Sequence, residues 1–421
     1  MRLAQRVLII CFSWLRDVWI IFGIAIAAIL FIEYGLSKAY ERRDNSDIVR
    51  IDYRAAADTY QGEKWVERYY REDRESAVMS WAPYVYWRRK PYNGEYINID
   101  KQGLRKTWNS NSGKSGESNE QTKVFIFGGS TMWGTGARDD FTIASLFAKE
   151  LSKNNVGAKV VNYGESGYVS TQELILLIQE LQSGNIPKLV IFYDGVNDVY
   201  SALQQGKAGI PQNEFNRVAE FQTSFYIKSE AIEKVFNEMS ILRIIRGVSA
   251  RFGLSLPLIS FSRGEIKDIQ RRPSRLLAKD VLDIYENNIL IAHSLSQKFG
   301  FKALFYWQPT IYNKKRLTGY EERERLRMES EQSFFEVTNE VLKQDQDKIL
   351  RMSEHGFHDI SNIYENISDA IFIDFCHTAE YGNTLIARRM LKDALPFLSS
   401  NGVAINNVFS SDGAMAVALI D

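Results

Sequence analysis

Apolar and polar positions along the chain fall into three regimes. The first is a charge-free apolar run, Val18–Ile32, preceded by a second apolar stretch at Val7–Leu15. Continued through Glu33 to Ser37, the run reaches the length of about 20 residues that a helix needs to cross a membrane. The second regime, from Lys38 to about Trp108, is charged and rich in aromatics: Trp65, Trp81, Tyr84, Tyr86, Trp87 and Tyr92. Within it, Gly94–Gly103 alternates between terminal glycines as a short hairpin does. Asn109–Thr122 is almost wholly polar and small, the composition of a linker or exposed loop.

The third regime begins at Lys123, where short apolar runs alternate with segments of helical period. Lys123–Phe127, Ala158–Tyr163, Lys188–Tyr193, Phe301–Trp307 and Ala370–Asp374 read as buried parallel strands. Helices are expected near Thr142–Lys153, Thr171–Gln182, Asp280–Phe299, Tyr320–Gln344 and Ala379–Leu395; in the second, Leu174, Leu177, Ile178 and Leu181 recur at helical spacing. Between about residues 205 and 279 the rhythm lapses, with helical stretches near Glu230–Arg246 and a turn-rich segment at Gly253–Gly264, so this part reads as a helical insertion. The predicted fold is α/β: an open, mostly parallel sheet sandwiched by helices, with an N-terminal transmembrane helix. The expected organisation is a cytoplasmic stub and anchor at 1–37, an aromatic-rich extension and linker at 38–122, the α/β domain at 123–395, and a loosely held tail at 396–421.

Composition narrows the function classes. Lys plus Arg equals Asp plus Glu at 52 each, so no net field draws nucleic acid. No zinc-type Cys/His spacing and no GxxxxGK[ST] phosphate loop is present, and the expectation is no metal and no cofactor. Cys11 and Cys376 cannot pair if Cys11 lies in or beside a membrane. Arg2 and Arg6 would also suit the n-region of a cleaved signal peptide, but the length of the apolar run fits an uncleaved anchor better. Basic residues flank the run on both sides, so charge does not set its orientation.

Four short blocks sit at or just after predicted strand ends: Gly128-Gly129-Ser130-Thr131, Asn162-Tyr163-Gly164-Glu165-Ser166-Gly167, Gly195-Val196-Asn197-Asp198 and Asp374-Phe375-Cys376-His377. In a parallel sheet the carboxyl ends of all strands share one edge, which is where ligands bind. The residue types match acyl transfer. A serine hydroxyl needs an adjacent base, which His377 supplies, and Asp374 can fix the tautomer of that imidazole. The Ser130 and Gly167 backbone N–H groups and the Asn197 amide are candidate oxyanion donors.

The order Ser, Gly, Asn, then a late Asp-x-x-His resembles that of SGNH/GDSL hydrolases over about Lys123–Leu395. The resemblance implies Ser130 as nucleophile, Gly167 and Asn197 as oxyanion donors, and Asp374 and His377 as acid and base, within an SGNH/flavodoxin-like three-layer fold. Gly167 is preferred to Gly164 because it falls five residues after the Asn that opens its block. The acidic residue that the family carries before the serine is Gly129 here. Trp81-Ala82-Pro83-Tyr84, Asn98 to Arg105, and Trp307-Gln308-Pro309 are similar to segments of bacterial membrane-anchored members, which implies an O-acyl ester on a cell-surface carbohydrate and a domain on the periplasmic or extracellular side.

Simpler roles compete at each position. Ser130 and Asn197 could cap or turn the chain, Asp374 could end a strand, and Asp198 is read as a cap. His293 reads as packing, and His355 and His358 as solvated. Cys376, beside the base, should point away from its working face. The Gly128–Gly136 run lacks the lysine of a phosphate cradle. The aromatics of Trp81–Tyr92 are read as core in preference to a sugar-binding face. Three functions follow: an esterase removing acyl groups (acetyl first), an O-acyltransferase using the same triad on a glycan hydroxyl, and a non-catalytic membrane-tethered glycan-binding or assembly protein.

Overall fold

The structure, a computed structural model, describes residues 2–45, 52–109, 122–224, 273–327 and 329–398. The polar linker, most of the expected insertion with its helical and turn-rich stretches, and the tail beyond residue 398 lie outside these. The chain divides into two compact units, one of Met1–Arg50 with Phe215–Lys267, the other of Ile51–Glu214 with Asp268–Asp421.

In the first unit the apolar run forms part of a helix, α1 (Arg2–Asn45). Its Arg16–Lys38 portion, 23 residues with none of the window buried, is long and apolar enough to cross a membrane.

The second unit opens with two 3-10 turns, Tyr53–Ala56 and Asp58–Tyr60, then helix α2 (Val66–Ser76). An antiparallel hairpin of β1 (Met79–Ala82) and β2 (Tyr86–Arg89) follows, then a two-residue pairing of β3 (Tyr92–Asn93) with β4 (Asn98–Ile99). The expected Gly94–Gly103 hairpin is therefore shifted: its turn lies between β3 and β4. Gly103 instead closes the next turn, at a φ of +79° that favours glycine.

From there the β/α rhythm holds. In order come β5 (Thr122–Gly128), α3 (Ser130–Trp133), α4 (Ile143–Lys153), β6 (Ala158–Asn162), α5 (Ser170–Gln182), β7 (Leu189–Asp194), α6 (Val196–Gln205), then α7 (Glu214–Ser224), which but for Glu214 belongs to the first unit, and, back in the second, α8 (Ser274–Phe299) and β8 (Lys302–Trp307). After these lie α9 (Gly319–Arg327), α10 (Glu329–Gln344), α11 (Gln346–Glu354), β9 (Phe357–Asp359) and α12 (Glu380–Leu398). The five long-range strands form one wholly parallel sheet in the order β6-β5-β7-β8-β9. That is the flavodoxin-like order 2-1-3-4-5, whose crevice lies at the carboxyl edge where the order reverses.

Period-2 alternation divides the sheet's side chains between two cores. Phe125, Phe127, Val190, Phe192 and Phe305 pack with residues of α5, α6, α8 and α10. Val124, Ile126, Leu189, Ile191 and Leu304 pack with α4 and α12. On the first face an aromatic stack crosses the sheet, Tyr163–Phe127–Phe192–Phe305, with centroids 4.9, 5.1 and 5.1 Å apart. A third core joins the extension to the sheet's carboxyl edge: Tyr60, Trp65, Tyr69, Tyr70, Ile97 and Ile99 pack with Trp133, Tyr320, Ile373 and Ala379.

Several expectations are corrected. The fifth strand is Phe357–Asp359, while Ala370–Asp374 makes only a single antiparallel bridge, Phe372 to Thr378. A three-residue strand is too short to show alternation, whereas the buried apolar run at 371–373 imitates one. Helix α11 is an addition to the expected elements, while α9 and α10 cover the expected Tyr320–Gln344 helix on either side of residue 328, which lies outside the described residues. His358 stacks on Tyr306 at 5.1 Å and His355 on His293 at 4.4 Å, so neither is simply solvated. Trp81 and Tyr84 are 68% and 75% exposed, so the aromatic stretch is not uniformly core.

Behind β7 three carboxyl groups, Glu173, Asp194 and Asp198, are buried together beside Tyr285. Asp198 caps the start of α5, accepting from the Ser170 backbone at 3.1 Å and its hydroxyl at 2.6 Å. Glu173 and Asp194 face each other, and with one of them protonated they share a hydrogen bond. Burial, then the charge of Asp194, pushes Glu173 well above the usual carboxylate range; burial does the same to Asp194 and lifts Asp198 to about 6. The folded chain thus holds protons that the unfolded chain releases above pH ~4, so this cluster's contribution to stability falls as pH rises through the raised values. Glu173→Gln, which supplies a donor without a titrating proton, should raise the urea midpoint more at pH 8 than at pH 5. An equal change at both pH values would contradict the assignment.

Candidate active site

The four blocks meet at the carboxyl edge of the sheet. Ser130 is the first residue of α3, reached from β5 through Gly128 and Gly129. Its Oγ lies 2.6 Å from His377 Nε2, and His377 Nδ1 lies 2.7 Å from Asp374 Oδ2. Asp374 Oδ1 also accepts from the backbone N–H of Cys376 at 3.0 Å and of His377 at 2.8 Å. One carboxylate therefore shapes the turn and orients the ring that the turn carries.

That turn is outside the sheet, and its rigidity has other sources. Glu321 Oε1 accepts from the Ile371 and Phe372 backbones, each at 3.0 Å. Its Oε2 takes a 2.5 Å bond from Lys314 Nζ, which also donates to the Asp369 carbonyl at 2.8 Å. Lys314 and Glu321 side chains are both wholly inaccessible to solvent. Tyr320 Oη donates to the Ile373 carbonyl at 2.7 Å, and Ile373 N–H bonds to the His377 carbonyl at 3.0 Å. The Asp374–His377 turn is thus a small hairpin held by a buried ion pair.

Asp374 is buried, which alone would raise its pKa. The charge and hydrogen bonds of His377, with the Arg54 guanidinium, outweigh burial and hold it at about 2. Cys376 is buried with Sγ 3.6 Å from His377 Nδ1, on the side away from Ser130. Burial and the neighbouring Asp374 push its thiol well above its ordinary value, so it is a poor nucleophile. Donor atoms of Asp374, Cys376 and His377 lie within 4.8 Å of one another, the one such group among the described residues. Both imidazole nitrogens, however, are engaged by Asp374 and Ser130, the geometry of a proton relay.

The second block is tied to the first and to the extension. Asn162 Nδ2 donates to the Met132 carbonyl at 2.9 Å, while its Oδ1 accepts from Gly164 N–H at 2.9 Å. Glu165, raised by burial although Arg88 and Arg89 oppose this, accepts from the Arg89 backbone at 3.0 Å and the Ser166 backbone at 2.8 Å. Trp87 Nε1 donates to the Ser166 carbonyl at 2.9 Å. The turn presents Gly167 at φ +79°. A side chain at Gly164 would press into the Trp133 backbone, whereas one at Gly167 would meet Gln212 and Trp87.

Asn197 stands at the start of α6, and a Cβ on Gly129 would overlap its amide nitrogen. The glycine that departs from the resemblance is therefore the residue this geometry requires. Gln212 Nε2 donates to Asn197 Oδ1 at 3.2 Å, which turns the Asn197 NH2 toward the Gly129–Ser130 side. Sequence reasoning missed Gln212, Arg54, Lys314 and Glu321. None stands in a motif, and each is recognisable only by what it touches.

No family model matches the chain, and no curated protein does. Among solved structures, the acetyl xylan esterase AlAXEase is similar at 14% identity over 64% of this chain and 98% of its own, with a TM-score of 0.35. An acetylxylan esterase from Geobacillus stearothermophilus is similar at 14% identity over 66% of this chain and 97% of its own, with a TM-score of 0.33. A member of the lipolytic protein G-D-S-L family from Veillonella parvula is similar at 13% identity over 65% and 97%, with a TM-score of 0.34.

The close fit at Gly129 gives a test that needs no substrate. Gly129→Ala should destabilise the unit by about 1–3 kcal/mol by overpacking, and clearly less when Asn197→Ala removes the group it strikes. Equal costs in both backgrounds, measured by urea unfolding, would show that Asn197 does not sit over Gly129.

Proposed function

We propose that the chain is a serine esterase of SGNH type, with Ser130 as nucleophile, His377 as general base and acid, and Asp374 as the group that orients His377. The observation that carries this reading is the unbroken hydrogen-bonded line from Asp374 Oδ2 through both imidazole nitrogens to Ser130 Oγ. His377 Nε2 takes the hydroxyl proton as Ser130 Oγ attacks the ester carbonyl. The tetrahedral oxyanion is received by the Ser130 and Gly167 backbone N–H groups and by Asn197 Nδ2. The imidazolium returns the proton to the departing alkoxide, which leaves an acyl-serine. Water, deprotonated by His377, then releases the acid and restores the hydroxyl.

The substrate class is an O-acyl ester, acetyl first, on a carbohydrate. Support comes from the exposed Trp81 and Tyr84, which share a hairpin with Trp87, a side chain against the Gly167 turn. Aromatic faces of this kind suit the apolar faces of sugar rings. Helix α1 supports a single-pass anchor, and the proposed location of the catalytic unit is outside the cytoplasmic membrane.

The full chain in detergent micelles should hydrolyse 4-nitrophenyl acetate and be labelled by a fluorophosphonate at Ser130. Ser130→Ala should abolish labelling and lower turnover by about 10³-fold or more. Labelling that persists in Ser130→Ala, or its absence in the wild-type chain, would overturn the proposal.

A further inference from the structure

The triad's acid has a neighbour that no motif announces. Arg54 lies in the first 3-10 turn of the catalytic unit, nine positions after α1 ends at Asn45. Its Nη1 is 3.9 Å from Asp374 Oδ2, the oxygen that bonds His377. That separation is too long for a hydrogen bond, so the interaction is one of charge. The two side chains are only 17% and 8% exposed, which leaves the interaction weakly screened.

Arg54 is itself held in place. Its Nε donates to Asp52 Oδ1 at 3.0 Å and its Nη2 to Asp52 Oδ2 at 2.8 Å. Asp73 takes a longer bond at 3.4 Å, and the guanidinium lies 5.2 Å from the Tyr70 ring centroid. The turn does not depend on Arg54 alone, because Tyr60 Oη bonds the Gly136 carbonyl and Asp52 caps the Arg54 backbone N–H at 3.0 Å.

We propose that Arg54 is a positioning residue of the hydrolytic site, a fixed cation behind Asp374 that keeps this carboxylate charged and committed to His377. The inference rests on the esterase reading for its catalytic consequence. Around Asp374 the other titratable groups are Tyr53 beside Arg54, Tyr320 and Glu324 with Arg327 from α9, and Cys376 and His377 from its own turn; Asp52 acts from the far side of Arg54. Of these, Glu324 and Asp52 repel the carboxylate. Without Arg54, His377 would face a carboxyl that competes for protons at higher pH. The site thereby extends into the segment that follows α1, and a chain cut after Tyr60 would lack part of its acid.

The test compares Arg54→Met and Arg54→Lys with wild type in detergent micelles, with 4-nitrophenyl acetate as probe. Arg54→Met should lower kcat by about 10–100-fold with KM within about twofold. The acid limb of its kcat/KM profile, a property of the coupled Asp–His pair, should move to higher pH, since loss of a fixed cation favours the protonated form of that pair. Arg54→Lys should restore kcat to within a few-fold of wild type. Should Arg54→Met not fold, Arg54→Gln takes its place.

A second readout is independent of turnover: the low-field proton resonance of the His377 Nδ1–H bonded to Asp374. It should shift or vanish in Arg54→Met and return in Arg54→Lys. If wild type proves inactive, the esterase reading fails and this resonance alone decides the role of Arg54. A wild-type acid limb and resonance in Arg54→Met, or a lysine variant as impaired as the methionine one, would overturn the proposal.

Discussion

The geometry at the sheet edge depends on a buried carboxylate remaining charged. Asp374 is only 6% exposed, and an unpaired carboxylate in such a place would bind a proton. It stays ionised because His377, two backbone N–H groups and a nearby guanidinium face it. Once it is fixed, the rest follows in sequence. The turn closes around Oδ1, the imidazole is aligned by Oδ2, and Nε2 comes within bonding distance of Ser130 Oγ. A neutral Asp374 would loosen all three together, since it could no longer serve as acceptor for ring and backbone at once.

The surroundings explain how a turn outside the sheet keeps this alignment. Lys314 and Glu321 form a buried ion pair, an arrangement that is costly to desolvate and therefore poor evidence for stability in itself. Here every oxygen of Glu321 has a partner, and three of its donors are backbone N–H groups, those of Thr318, Ile371 and Phe372. The pair serves as a fastening for the strand-like run 371–373. The extension of residues 52–109 contributes in the same way from the other side. Arg105 bonds the Gly134 and Ala137 carbonyls, each at 2.7 Å, and Tyr69 Oη accepts from Gly136 N–H at 2.7 Å. The loop after Ser130 is thus held by side chains from outside the α/β rhythm.

Much of this was legible from the residues. Four of the five strands were legible: β5, β7 and β8 carry continuous apolar runs, because both faces of a parallel sheet's interior are covered, and the edge strand β6 carries a shorter one broken by the exposed Lys159. The four chemical blocks were legible for a related reason: topology brings strand ends to one edge, whatever their separation in sequence. Phe357–Asp359 was not, since three residues with a histidine at the centre carry no period, and the buried run at 371–373 looked more like a strand. Gln212, Lys314, Glu321 and Arg54 were not legible either. A glutamine that sets the direction of one amide, or an arginine that faces one carboxylate, leaves no trace in composition or spacing. The exposure of Trp81 and Tyr84 is not legible in the sequence either, because burial of an aromatic in a hairpin depends on which face its neighbours cover.

The central claim is that hydroxyl, imidazole and three donors converge on one reacting atom. The most direct measurement is a crystal structure of the protein carrying a phosphonate on Ser130. The account predicts one phosphonyl oxygen within hydrogen-bond distance of the Ser130 and Gly167 N–H groups and of Asn197 Nδ2, with His377 Nε2 facing the leaving-group position. A phosphonyl oxygen turned away from Gly167 and Asn197, or a covalent adduct on another residue, would contradict it.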